Sequence, residues 1–317
     1  MSSEITVKNT DLVEGLLNKN KSIPSKYFYD VLGDELFTKI MQLPEYYLSR
    51  AEFEIFDRHK NELFACCEIV ATKNFELVEL GAGDGRKTRV LLQYLLEEGY
   101  DFTYVPVDIS QNVLNVLQKN VNDLKGLKIA PQCGDYFDLL EKWKDNKSQK
   151  IVLFLGSNLG NMNDDLAAKF IGNIAEKLKK EDRLWLGLDL KKDGSIVLPA
   201  YNDKSGITKE FNLNLLRRIN REMGADFNLN KFTHSPEYLK DGRAVSYLES
   251  EEDQRVYIAE IDTTIFFKKG EKILTEISRK YDQDLLYNLI SKTNLKIQKQ
   301  FSDGEDLFSD FVLGLDV

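Results

Sequence analysis

The run Val78-Glu79-Leu80-Gly81-Ala82-Gly83-Asp84-Gly85 constrains this chain more than any other stretch. An apolar strand that ends in an acid and breaks into alternating glycines builds a turn against which a nucleotide can lie. Glycine enters the φ > 0 region without steric cost and leaves bare backbone for close approach. The helix that follows such a turn offers unpaired N–H groups at its N-terminus. The spacing is G-x-G-x-G, without the third glycine of the dinucleotide fingerprint. A plain strand-to-helix turn in any α/β domain has a similar look, so the segments that follow decide the matter.

Arg86 to Leu96 places Val90, Leu91, Leu92, Leu95 and Leu96 on a helical stripe, and Phe102 to Val107 reads as a second strand ending at Asp108. An acid at that strand tip is placed to accept hydrogen bonds from two ribose hydroxyls. The competing role is a helix N-cap, since Asp108-Ile109-Ser110 precedes the helical segment Val113 to Val121. A third strand, Leu127 to Gln132, runs into Gly134-Asp135-Tyr136, where an acid and an aromatic suit an adenine amino group and ring face. Taken singly, Asp135 reads as a loop residue. A fourth strand, Ile151 to Leu155, ends in Gly156-Ser157-Asn158-Leu159-Gly160-Asn161, and a fifth, Leu184 to Leu188, ends at Asp189. Ligands of open α/β sheets bind beyond the strand C-termini, where all these features sit. The pattern predicts an α/β fold with a Rossmann-like sheet. Its acid-tipped strands resemble class I S-adenosylmethionine-dependent methyltransferases, with a dehydrogenase as the competing enzyme reading.

The chain has 317 residues, 42% of them hydrophobic, which is enough for a large core and for two domains. It has 43 basic and 52 acidic residues, a net charge of −9, and no basic cluster, which argues against nucleic acid and anionic membranes as partners. Met1-Ser2-Ser3-Glu4 lacks the basic start and apolar stretch of a leader, and no run approaches the roughly 20 apolar residues that span a bilayer. A cytoplasmic monomer with a small-molecule substrate is the expectation. Cys66, Cys67 and Cys133 lack disulfide or zinc spacing, and with only His59 and His234 besides, no metal site is expected.

Residues 51–191 and 281–317 are read as the sheet-bearing core, because the α/β alternation breaks between about 192 and 280. That stretch reads as a loop over Pro199 to Asp203, a helix from Lys209 to Met223, and strands over Ala244–Leu248 and Val256–Phe267. Helix Gln283–Ser291 and strands Leu295–Phe301 and Leu307–Leu315 then close the sheet. Residues 1–50 also fall outside the sheet and are rich in aromatics, among them Tyr27, Phe28, Tyr29, Phe37, Tyr46 and Tyr47. Segments 1–50 and 192–280 are expected to form a second, α+β domain over the strand tips, with a substrate pocket between domains.

A series of motifs spread along the chain resembles one family. Lys26-Tyr27-Phe28-Tyr29-Asp30, Gly33, Leu36-Phe37 and Leu43 to Glu52 are similar to the N-terminal signature of histidine-specific methyltransferases. Val78 to Arg89 resembles that family's cofactor loop, Phe154 to Asn161 its F-L-G-[GST]-x-x-G-N segment, and Ala200-Tyr201-Asn202-Asp203 its A-Y-[DN]-D loop. Phe211-Asn212 through Phe227 fits its insertion helix and Thr275 to Tyr281 its late strand. The likeness runs in order over nearly the whole chain.

The resemblance implies methyl transfer from S-adenosylmethionine to the α-amino nitrogen of histidine, giving the trimethylated betaine hercynine of ergothioneine synthesis. Carried over by position, Tyr29, Gly81, Gly83, Lys87, Asp108, Asp135 and Tyr136 hold the cofactor. Asn161 and Tyr201 grip the substrate carboxylate, Tyr46 lies by the amine, and Glu276 with Ser278 binds the imidazole. The transfer is an in-line displacement, so alignment outweighs acid strength. A tyrosine with a pKa near 10 is a poor base at neutral pH, which assigns Tyr46 an orienting role. Each position has a plainer role too: Tyr46 as packed aromatic, Asn161 as helix cap, Tyr201 as loop residue, Glu276 paired with Arg279 or Lys280, and Lys87 as a surface charge like Arg86 and Arg89.

One position departs from the pattern. Ser246, in Arg243-Ala244-Val245-Ser246, stands where the family has a methionine near the substrate ring, which leaves the choice of side chain open between histidine and another amino acid such as tryptophan. Two further classes compete: a non-catalytic binding protein, which does not need all five substrate residues at once, and a nucleic-acid or protein methyltransferase, which needs a basic or extended groove.

Overall fold

The computed structural model describes residues 10–69, 74–141, 143 and 148–316. The opening Met1–Glu4, read above for a leader, lies outside the described residues. In chain order the first elements are α1 (Thr10–Leu17), α2 (Val31–Ile40), α3 (Tyr47–Ala65), β1 (Phe75–Leu80), α4 (Arg89–Glu97), β2 (Phe102–Asp108), α5 (Gln111–Asn120), β3 (Lys128–Ile129), β4 (Gln132–Cys133), α6 (Tyr136–Glu141), β5 (Gln149–Phe154), α7 (Asp164–Lys177) and β6 (Arg183–Asp189). There follow α8 (Gly194–Tyr201), α9 (Ile207–Met223), β7 (Phe232–Tyr238), β8 (Arg243–Ser250), β9 (Gln254–Ile258), β10 (Thr263–Phe267), β11 (Lys272–Arg279), α10 (Gln283–Ile290), β12 (Leu295–Ser302) and β13 (Phe308–Leu315).

The chain divides into two compact units, Met1–Tyr46 with Asp193–Ser278, and Tyr47–Lys192 with Arg279–Val317. The second unit holds an eight-stranded sheet in the order β12-β13-β6-β5-β1-β2-β3, with β4 also on β2. Strands β1 to β6 pair in parallel, while β13 is antiparallel to both β6 and β12. The order reverses at β1, so the turn after β1 lies at the switch point where such sheets open a crevice.

Both faces of this sheet are covered, which is why β5 reads as an unbroken apolar run. Val78, Val152 and Phe154 pack with Phe170 of α7 and Leu286 of α10, whereas Leu77, Ile151 and Leu153 pack with Phe56 of α3, Leu91 of α4 and Leu117 of α5. The alternation follows from the period of two along a strand. Phe154, completely buried, contributes roughly 2–3 kcal/mol by leaving water.

The first unit draws its core from both of its chain pieces. Leu12, Leu16, Tyr27, Phe28 and Leu36 pack with Phe211, Leu215, Leu216 and Leu248. Phe28 stacks on Phe211 at 4.3 Å. The Ile23 amide donates to the Leu274 carbonyl and the Leu274 amide to Lys21, so the N-terminal piece adds to the edge of β11. The sheet here runs β11-β8-β7, beside a separate β9–β10 hairpin.

Three local readings change, and one strand was not read at all. The third strand is two short pieces, β3 and β4, because Pro131 has no N–H to give the ladder between them. Pro199 lies inside α8 rather than in a loop, and the helix continues to Tyr201. The stretch Val256–Phe267 folds back as β9 and β10 about a 3-10 turn, with Asp262 at φ 46°. Strand β7 carries Pro236, which suppresses a strand reading; it is tolerated because β7 is an edge.

Candidate active site

In the sheet unit the glycine turn has the backbone its sequence demands. Gly81, Gly83 and Gly85 sit at φ 73°, 59° and 71°. The amides of Gly81 and Ala82 both donate to the Val107 carbonyl, at 2.8 and 3.0 Å. A Cβ on Gly81 would lie 2.8 Å from Asn158 Nδ2, and one on Gly85 2.7 Å from Leu117 Cγ. A Cβ on Gly83 would meet nothing within 4 Å. Packing thus excludes a Cβ at Gly81 and Gly85, while Gly83 keeps space open above the turn.

Asp108 locks this turn to the tip of β2. Its Oδ2 accepts the Gly83 amide at 3.0 Å and its Oδ1 the Ser110 amide at 3.0 Å. The cap of α5 is Ser110, whose hydroxyl accepts from the Val113 amide, so Asp108 is released from the capping role. The Gly134 amide donates to the Asp108 carbonyl, bringing the third acid-bearing loop beside the second. Asp135 is exposed and accepts the Phe137 amide at 2.8 Å at the head of α6. Tyr136 packs against Phe137, Phe154 and Phe170, and burial pushes its hydroxyl up to about 12, with the charges of Asp135 and Asp108 adding to the effect. It is a neutral phenol at physiological pH.

Lys87 differs from its basic neighbours. Arg86 pairs with Asp84 and Arg89 with Asp123, both toward solvent. Lys87 pairs with Glu52 of α3, a carboxylate with no exposed side-chain surface. The second Glu52 oxygen accepts the Gly156 amide at 2.7 Å. Burial works against the Lys87 ammonium, but Glu52 overrides it and raises the pKa. Beneath them Asp310 is fully buried with neither oxygen hydrogen-bonded, and burial together with the Glu52 charge holds its carboxyl well above the usual range. Glu79 receives the hydroxyls of Thr88, at 2.6 Å, and Tyr104, yet burial still pushes its pKa up to about 7.

Asn161 ends a 3-10 turn, Asn158–Asn161, entered through Ser157 at φ 57°. It does not cap the following helix: Asn163 does, accepting the Leu166 amide at 2.8 Å. A Cβ on Gly160 would lie 2.7 Å from the Arg279 carbonyl, so this glycine permits close packing of two chain segments.

The other unit gathers the remaining site residues. Tyr29 and Tyr46 meet Phe37 edge-on, at 6.0 and 6.3 Å, and Tyr29 also meets Phe211. Asp30 caps α2 through the Gly33 amide at 2.8 Å and accepts Asn214 and Arg221 of α9, at 2.8 and 2.7 Å. The Tyr201 hydroxyl, buried at the end of α8, donates to Ser278 Oγ at 2.7 Å. Ser246 is fully buried, with its Oγ 3.4 Å from Glu276 Oε2. Tyr201, Ser246, Glu276 and Ser278 are thereby brought together, although 45 to 77 positions separate Tyr201 from the others.

Residues 8–315 match the model of a family described as histidine-specific methyltransferase, SAM-dependent. The chain is 37% identical over 273 residues to histidine N-alpha-methyltransferase of Mycobacterium tuberculosis, covering 86% of this chain and 83% of that protein.

The chain belongs to this methyltransferase family.

A protein of the same name from Mycolicibacterium smegmatis is 34% identical over 97% of this chain and 94% of its own length. A more distant relative is the 4-dimethylallyltryptophan N-methyltransferase of Claviceps fusiformis, 26% identical over 60% of this chain and 56% of that protein. Among the described residues of this methyltransferase, no group of three or more His, Cys, Asp or Glu is arranged to hold a metal, and no helix is long and apolar enough to cross a membrane. Sequence reasoning missed Glu52 as a distinct site residue. The signal was present, since the buried stripe Leu48, Ala51, Ile55, Phe56 of α3 passes through it. Asp310 and the Tyr104–Glu79 contact gave no such signal, because both depend on pairings between distant strands.

Proposed function

We propose that this chain transfers methyl groups from S-adenosylmethionine to the α-amino nitrogen of L-histidine, yielding trimethylhistidine (hercynine), the betaine of ergothioneine synthesis. The observation that carries this reading is the 37% identity, over most of both chains, to a protein named for that activity. In this reading Gly81, Gly83, Lys87, Asp108, Asp135, Tyr136 and Tyr29 hold the methyl donor. The fit is chemical: the open space over Gly83 admits a ligand against backbone, and Asp108 offers carboxylate acceptors for a ribose. Lys87, whose side chain keeps 26% exposure despite its pairing with Glu52, offers a cation to a carboxylate.

The donor supplies a methyl group on a sulfonium centre. Everything else falls to the chain. Tyr201 and Asn161 orient the substrate carboxylate; Tyr46 orients the amine so that its lone pair points at the methyl carbon. Glu276 accepts an imidazole N–H, and Ser278, held by the Tyr201 hydroxyl, faces the other ring nitrogen. The chain piece 1–46 with 193–278 is the substrate-binding domain on this reading, and the sheet unit the cofactor-binding core.

A second reading, methylation of another amino acid such as tryptophan, is favoured by the short side chain of Ser246 beside Glu276. Incubating the purified protein with S-adenosylmethionine and each of the twenty amino acids in turn, and weighing the products by mass spectrometry, tests both. A gain of three methyl groups on histidine alone is expected. Product only from tryptophan reassigns the pocket; no product from any amino acid overturns the proposal.

A further inference from the structure

The Asp189 carboxylate, at the C-terminal end of β6, has no exposed side-chain surface and is met by three side chains of its own unit. The Tyr47 hydroxyl lies 2.9 and 2.8 Å from its two oxygens. Lys192 pairs with Oδ1, and Lys280, itself completely buried, with Oδ2 at 2.6 Å. Lys192 also reaches the Tyr47 hydroxyl at 3.1 Å and the Leu190 carbonyl at 2.5 Å, and its ammonium sits 4.6 Å from the centre of the Tyr47 ring. The backbone joins in: the Asp189 amide donates to Ser157 Oγ at 3.1 Å, and the Tyr281 amide to the Asp189 carbonyl at 2.8 Å.

These partners are not scattered along the chain. The chain passes between the two units at 46/47, 192/193 and 278/279. Tyr47 and Lys192 are the residues on the sheet side of the first two crossings, and Lys280 is the second residue past the third. Ser157 leads into the turn that ends in Asn161. Within the sheet unit, one buried carboxylate therefore binds a residue at or next but one to each of the three crossings. Tyr46 lies one residue from Tyr47, and Ser278 two residues from Lys280. A buried carboxylate shared by two ammonium groups is costly to assemble for stability alone, since desolvation offsets much of the attraction.

We propose that Asp189 is a positioning residue for methyl transfer, fixing through Tyr47, Lys192, Lys280 and Ser157 the chain segments that present Tyr46, Ser278 and Asn161 to the substrate. The proposal rests on the histidine reading above. Among the described residues the hydrogen bonds and ion pairs of Asp189 go to Tyr47, Ser157, Lys192, Lys280 and Tyr281 and not to Gly81, Gly83, Asp108 or Asp135, so its loss is read first on histidine rather than on the donor.

The test is Asp189→Asn and, since that change leaves two buried lysines without their counter-charge, the milder Tyr47→Phe in parallel. For wild type and both variants, kcat and KM for histidine are measured together with the dissociation constant for S-adenosylmethionine by calorimetry. The expected result is a loss in kcat/KM for histidine of at least about tenfold for Asp189→Asn and about threefold for Tyr47→Phe, with the donor dissociation constant within about threefold of wild type. Unchanged histidine kinetics in Tyr47→Phe would overturn the proposal even if Asp189→Asn failed to fold. So would an equal weakening of donor and histidine, which is the mark of general destabilisation. Wild-type inactivity on histidine sinks the functional reading instead. The donor affinities and the kinetics on whichever amino acid is methylated then still decide the role of Asp189.

Discussion

The Lys87 ammonium is ion-paired with Glu52, whose other oxygen holds the Gly156 amide at 2.7 Å, so one helix residue connects the loops after β1 and β5. Glu52→Gln keeps an acceptor for Gly156 but removes the counter-charge of Lys87. Loss of a partner from a buried pair costs about 3–5 kcal/mol, and the partial exposure of Lys87 reduces this to about 1–3 kcal/mol. Urea titration should show that loss, with weaker binding of the methyl donor by calorimetry; an unchanged midpoint means that the pair contributes nothing to folding.

Two glycines of one turn should fail differently. Gly85→Ala drives a Cβ to 2.7 Å from Leu117 Cγ at φ 71° and is expected to lose about 1–3 kcal/mol of stability. Gly83→Ala has room, so only its φ of 59° opposes it, at a cost of about 1 kcal/mol. Its main effect should be on the methyl donor, whose dissociation constant rises at least about tenfold (about 1.4 kcal/mol) as the new methyl fills the space over the turn. Thermal melts with and without donor separate the two.

Asp108→Ala removes the acceptor of the Gly83 and Ser110 amides and the proposed ribose contact in one step. Donor affinity should fall by roughly 10–100-fold, about 1.4–2.7 kcal/mol, while histidine binding measured at saturating donor changes little. Equal affinity for the donor in wild type and variant would take Asp108 out of the site.

Glu79 makes stability depend on pH. A carboxyl pushed from 4.5 up to about 7 by burial binds its proton more tightly in the folded state. That binding favours folding below the unfolded value of 4.5, and the contribution is lost as pH rises through 7. Glu79→Gln cannot ionise, so its stability relative to wild type should improve by about 1–3 kcal/mol between pH 5 and pH 8. Parallel urea midpoints across that range would contradict the assignment.

Ser278→Ala removes one acceptor of the buried Tyr201 hydroxyl, at a cost of about 0.5–1.5 kcal/mol. The expected readout is a rise in KM for histidine; Glu276→Ala should raise it further, by removing the one charge proposed to face the imidazole. A variant pair with wild-type KM would separate β11 from substrate recognition.

Much of this architecture was legible because it is local. The acid-tipped strands and the glycine turn announce the parallel sheet, and the period-two pattern explains both covered faces. The capping roles were not legible: Ser110 and Asn163, each a better-placed neighbour, take the positions for which Asp108 and Asn161 were candidates. Pro199 misdirected the reading by suggesting a loop, and β7 went unread, its Pro236 being tolerated because the strand is an edge. The contacts of Glu52, Asp189 and Asp310 depend on side chains distant in sequence, and no periodicity encodes them.

The position of β13 bears on how the protein is made. β13 pairs with both β6 and β12, yet it is the last element of the described chain. During synthesis β6 waits as an open edge while more than a hundred further residues emerge, including all of the inserted segment Asp193–Ser278. The ribosome thus releases the smaller unit's strands before the larger unit can close its sheet. Ribosomes stalled between residues 280 and 307 should carry nascent chains whose sheet unit is open to protease at β6, and full-length chains should be protected there.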